Sequence, residues 1–93
     1  MVKTDKSLID AHLKGDTNAF GELVRRHGDS LLGYLTRMTG SVEQAEDLFQ
    51  ETFKRVHEKA DTFRGSRIKS WLFAIATNVA IDGMRKSRRL QVV

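Results

Sequence analysis

The chain has no cysteine and no proline among its 93 residues. Without thiols, a disulfide framework and a thiolate metal site are both excluded, a usage that fits a reducing compartment. No apolar run approaches the ~20 residues of a membrane span, and Met1 to Lys6 lacks the apolar stretch of a secretory signal. The expectation is therefore a cytoplasmic protein with no membrane insertion. Histidines number three, His12, His27 and His57, far apart in sequence. No His-x-x-x-His pair, phosphate loop or nucleophile motif accompanies them. No catalytic residue, metal or cofactor is expected, and surface and packing roles suffice for the histidines.

What is present describes one folded domain near the small end for a self-sufficient core. Hydrophobic residues make up 40 % and charged ones 30 %, a balance that argues against disorder. The formal net charge of +4 is unevenly spread. Residues 1–60 carry 9 Lys/Arg against 10 Asp/Glu, or −1, whereas residues 61–93 carry 7 against 2, or +5. Such a chain can meet two partners of opposite character, although an uneven soluble surface would look the same.

Apolar residues recur at helical spacing, and no strand-like alternation survives more than a few residues. Four helices are expected, packed as a compact all-α bundle with short connections. The first runs from about Asp5 to Lys14, burying Leu8, Ile9, Ala11 and Leu13, and stops at Gly15. Asp16 or Thr17 caps a second, reaching about Thr39, with Ala19, Phe20, Leu23, Val24, Leu31, Leu32, Leu35 and Met38 inward. Gly28-Asp29-Ser30 in its middle predicts a kink or short break, since glycine is costly there and Asp or Ser can recap. Ser41 and Gln44 stand in capping-box spacing at the start of a third helix that continues to about Ala60. Its inner face is Val42, Ala45, Phe49, Thr52, Phe53 and Val56. A fourth spans about Arg67 to Arg88, with Ile68, Trp71, Leu72, Ile75, Ala76 and Val79 inward.

Two outward faces stand out. Asp47, Gln50, Glu51 and Lys54 fall at i, i+3, i+4 and i+7, one stripe of helix three. Such a stripe suits a partner presenting Arg and Lys. Spacing alone is explained more simply by a solvated face whose early acids favour the helix dipole. Helix four ends in Arg85, Lys86, Arg88 and Arg89, with Arg64, Arg67 and Lys69 towards its other end. The macrodipole accounts for some of these cations, but a basic edge this long has the footprint expected for phosphate backbone. Between the helices lies Asp61-Thr62-Phe63-Arg64-Gly65-Ser66, whose aromatic and arginine could hold an unstacked base. Phe63 as a plug in the bundle is the plainer alternative.

Taken in order, several segments resemble the second conserved region of extracytoplasmic-function (ECF) sigma factors, the smallest members of the sigma-70 family. They are Gly15-Asp16 with Ala19-Phe20 and Leu23, then Ala45-Glu46-Asp47-Leu48-Phe49-Gln50-Glu51-Thr52-Phe53, then Phe63-Arg64-Gly65, and Trp71-Leu72-Phe73-Ala74-Ile75-Ala76-Thr77-Asn78 with Ile81-Asp82 and Arg85. The matches keep the family's order and spacing over nearly the whole chain.

The resemblance implies a non-catalytic initiation subunit of RNA polymerase. Asp47, Gln50 and Glu51, flanked by Glu46 and Lys54, would dock on the β′ clamp helices of core polymerase. Phe63, Arg64, Ser66, Arg67 and Lys69 would form a pocket for a flipped base of the promoter −10 non-template strand. Asn78 would make a polar base contact, having both donor and acceptor, and Arg85, Lys86, Arg88 and Arg89 would hold phosphates. Trp71 stays in the core. An anti-sigma factor is a further expected partner.

Some positions depart from the family pattern. Thr77 stands where arginine is frequent, and His57 where an aromatic is common. Gly83 occupies a helical position usually basic or bulky, which weakens the helix there by ~1 kcal/mol relative to alanine. The family's second domain, a helix-turn-helix for the −35 element, has no counterpart after Arg89. Residues 1–89 therefore read as the region 2 domain and Leu90 to Val93 as the start of a linker. A generic helical DNA- or RNA-binding module and a protein-only regulatory domain remain the competing classes.

Overall fold

The structure, a computed structural model, describes residues 3–64 and 67–91, the last five in backbone only. Four helices follow one another: α1 (Asp5–Leu13), α2 (Ala19–Thr39), α3 (Val42–Lys59) and α4 (Ile68–Gln91), with a 3-10 turn at Ala60–Thr62. The all-helical bundle read from the sequence is thus the observed fold. Three ends are set by local chemistry. Thr4 caps α1, its hydroxyl accepting from the Ser7 amide (3.1 Å), and Ser41 caps α3 by accepting from Gln44 (3.3 Å). At the other end of α2, Gly40 takes a left-handed conformation and its N–H donates to Thr36 O. Ahead of α2, Asp16 Oδ1 accepts from the Asn18 amide (2.9 Å) as a turn, while the cap position itself falls on Asn18, neither of the residues expected.

Leu8, Ile9, Leu23, Leu31, Leu35, Val56, Ile68, Leu72 and Val79 form the fully buried centre, drawn from all four helices. Thr52 joins them with no exposure, which it tolerates because its hydroxyl donates to Leu48 O (2.7 Å). Two residues expected inside lie outside. Leu13, in the last turn of α1, and Val42, in the first turn of α3, are each at least half exposed, because the helices there run past the elements that would cover them.

The break expected in α2 does not occur: α2 is one continuous helix of 21 residues. Gly28 is buried, and a Cβ built on it would lie 3.3 Å from Phe49 Cζ. The glycine lets the aromatic ring of α3 press on the α2 backbone. Gly83 acts likewise on α4, where a Cβ would stand 2.7 Å from Leu48 Cδ2. Trp71 is half-buried at the edge of the core, and α4 continues past Arg88 to Gln91.

Helix α1 is held by Leu8 and Ile9 and by an ionic clip, with Asp5 facing both His27 Nε2 (3.0 Å) and Arg26 (3.3 Å) of α2. At its far end His12 meets His57 of α3, ring centroids 4.9 Å apart, with Phe20 packed edge-on against His57. A surface groove of about 340 Å³ opens beside them, lined also by Gly15, Asp16 and Thr17. Burial first, and the neighbouring His57 second, hold His12 below the usual 6.5. The unfolded chain therefore binds more protons than the fold as the pH drops through 6.5. Stability due to this site is present above that pH and is lost on acidification. Thermal melts at about pH 8 and about pH 5.5 should show a lower midpoint in acid. His57→Phe, which keeps a ring and removes the neighbouring imidazole, should shrink that difference, and an undiminished difference would contradict the part assigned to His57.

Candidate functional site

On α3 the buried residues Ala45, Thr52, Phe53 and Val56 define the core side. Asp47, Gln50 and Lys54 are exposed and Glu51 partly so, all on the opposite side of the helix, directed away from the bundle. Exposed Glu46 flanks them. The five residues singled out from the sequence thus share one outward surface. Arg55 also reaches it, a residue the sequence reading passed over. Its guanidinium lies 3.5 Å from Glu51 Oε1 and 3.6 Å from Asp82 Oδ2 of α4. The i,i+4 step from Glu51 to Arg55 was the available signal.

Past the 3-10 turn, Arg64 folds back over the chain, its Nη1 donating to Asp61 O (2.8 Å) and Phe63 O (3.0 Å). Phe63 is half-buried, its ring 5.1 Å from Trp71, so part of its surface is spent on packing and part remains accessible. Ser66 lies outside the described residues. Arg67 is exposed, and its carbonyl accepts from the Trp71 amide to start α4. Seven-residue steps then carry the Trp71 side of the helix to Asn78 and Arg85, both exposed. Lys86 follows, also exposed. Arg88 and Arg89 belong to α4, but their side chains lie outside the described residues.

Lys69 is separated from this row. It points to the α2 side of α4, with Nζ 5.9 Å from the Phe73 ring, which in turn packs on Tyr34. Thr77 is on that side too. Its hydroxyl donates to Phe73 O (2.8 Å) and so receives the Tyr34 hydroxyl at 2.7 Å. Among the described residues no group of three His, Cys, Asp or Glu side chains could hold a metal ion, and no helix is long and apolar enough to cross a membrane.

An outward acidic stripe on one helix, beside a basic row on the next, is the arrangement to set against known proteins. The family model of Sigma-70 region 2 matches residues 23–90. The chain belongs to the sigma-70 region 2 family.

Its relatives place it in the ECF branch of that family. The ECF RNA polymerase sigma factor SigW of Bacillus subtilis is 41 % identical over 84 residues, spanning 89 % of this chain and 45 % of that protein. SigE of Mycolicibacterium smegmatis is 35 % identical over 92 residues, or 96 % of this chain and 35 % of that protein. This region 2 domain therefore spans less than half the length of these curated relatives. In three dimensions it matches an engineered region 2 of sigmaE, solved by NMR in a complex with GTAAAA. The TM-score is 0.89 at 28 % identity, covering 98 % of this chain and 96 % of the other. A sigma region 2 is a non-catalytic part of the transcription machinery.

Proposed function

We propose that this region 2 domain docks on the β′ clamp helices of core RNA polymerase through Asp47, Gln50 and Glu51 of α3, with Glu46 and Lys54 at the margin. The segment Phe63 to Lys69 and the row Asn78, Arg85, Lys86, Arg88 and Arg89 would then receive the non-template strand of the −10 element. The single observation that carries this reading is the outward placement of the carboxylate–amide–carboxylate stripe on α3 next to the cationic row of α4. A stripe with no packing duty is free to meet basic side chains, and charge-assisted bonds to guanidinium are the strong kind.

Strand opening requires no covalent step. Unstacking a base costs a few kcal/mol, and a site that accepts only the extruded base shifts the population towards open DNA by its differential affinity. Phe63 with its accessible surface, and Arg64 with donors beyond the two used on its own backbone, supply a stacking face and a cation for that site. Within this reading Lys69 acts on the approach from the α2 side, away from the Asn78 row. The same surfaces would be covered by an anti-sigma factor in the resting cell, and the domain would act in the cytoplasm.

The test has two arms. Asp47→Ala and Gln50→Ala should each weaken binding to purified bacterial core polymerase about tenfold, a loss of ~1.4 kcal/mol, with unchanged circular dichroism. Asn78→Ala and Arg85→Ala should leave core binding intact and slow open-complex formation on a promoter. If the first pair is silent while the domain alone binds duplex DNA tightly and with steep salt dependence, the chain is a generic DNA-binding module instead.

A further inference from the structure

Arg55 stands between the two surfaces. One guanidinium faces Glu51 on the α3 stripe at 3.5 Å and Asp82 on α4 at 3.6 Å. Both distances are longer than a charge-assisted hydrogen bond, so the cation is shared between the carboxylates and committed to neither. Asp82 lies four residues after Asn78 and three before Arg85, on the same side of α4. It is the one acidic residue of that helix, placed among groups proposed to meet phosphates. An unscreened carboxylate there repels a nucleic-acid backbone, and among the described residues Arg55 is the cation within 4 Å of it.

We propose that Arg55 couples the two surfaces: a basic partner that engages Glu51 releases the guanidinium to Asp82, and affinity for single-stranded DNA rises. The coupling rests on the docking reading given above. It is reciprocal, so DNA on α4 also favours the partner on α3 by the same factor. Arg55 is a positioning residue in this proposal, acting through Glu51 and Asp82. The three side chains are 31 %, 44 % and 50 % exposed, so each pair is individually weak and the cation can repartition without disturbing the core. Such a device tunes affinity a few-fold. It ensures that the DNA surface is most receptive once docking has occurred.

The experiment is a double-mutant cycle on the 93-residue chain, read by fluorescence anisotropy with single-stranded hexanucleotides, GTAAAA among them. Glu51→Gln removes the competing carboxylate and should raise affinity about threefold, while Arg55→Gln should lower it about threefold. In the Arg55→Gln background, Glu51→Gln should add nothing. Asp82→Asn should raise affinity and abolish the effect of Arg55→Gln. Glu58→Gln makes the same charge change on the same exposed face and should act equally in both backgrounds. If Glu51→Gln and Glu58→Gln prove interchangeable, and the cycle is additive, only general charge is at work and the coupling is wrong. Should Arg55→Gln impair folding, the Glu51→Gln and Asp82→Asn pair still decides, because non-additivity between them requires a shared cation. When Asn78→Ala and Arg85→Ala weaken binding but the cycle is additive, the coupling alone falls. When neither alanine change matters, the function proposed for the α4 row falls with it.

Discussion

Gly28→Leu is expected to destabilise the domain by about 3 kcal/mol, the upper part of the range for an overpacked core. The reason is local. The ring of Phe49 already occupies the space into which even a Cβ would project, at 3.3 Å, and Phe49 is pinned in turn by Phe53 at 4.9 Å between centroids. A leucine must displace that aromatic pair or push α2 off α3. Gly28→Ala sets two effects in opposition, a helix-propensity gain of about 1 kcal/mol against pressure on the ring, and should fall close to neutral. Gly33, one and a half turns later with no atom within 4 Å of its notional Cβ, provides the contrast. Gly33→Ala should show the propensity gain in full. Urea denaturation of the three variants checks the account, and it fails if Gly28→Leu melts like the wild type.

A larger functional loss is expected from Asp47→Lys combined with Gln50→Lys, which should reduce affinity for core polymerase a hundredfold or more, or ~2.7 kcal/mol. Removing an acid forfeits one contact, whereas placing two lysines against a basic partner adds like-charge repulsion, which costs several kcal/mol at an interface. Both positions are exposed and point away from the core, so the fold should survive the change. Asp10→Lys makes the same charge change as Asp47→Lys at an exposed position on α1 and should have little effect. Raising the salt concentration should narrow the gap between wild type and variant, because exposed charges are screened. Equal losses for the α3 and α1 variants would remove the docking surface from α3.

Part of this was legible in the residue order. Four helices, the Ser41 cap and the shared face of Asp47, Gln50, Glu51 and Lys54 follow from spacing, because a helix places residues three and four apart on one side whatever surrounds it. Where tertiary contacts decided, local rules misled. Gly28 reads as a breaker by propensity, and only the arrival of Phe49, 21 residues on, reveals a glycine retained for close approach. Leu13 and Val42 fit the apolar periodicity but sit where their helices outrun the bundle. Lys69 and Arg85 look alike as members of a basic edge, yet Lys69 turns to Phe73 and α2. The link from Arg55 to Asp82 spans 27 positions between two helices, and no periodicity signals it.

The close seat of Leu48 against Gly83 has a mechanical outcome. A methyl group rests where a side chain would otherwise begin, so α4 packs close against α3 at this point. The azimuth of Asn78 and Arg85 is thereby inherited from whatever orients α3. On the function proposed above, a partner that seats α3 would also fix the direction from which α4 meets a strand, and a larger residue at position 83 would be met by the tip of Leu48, a flexible side chain that can turn aside.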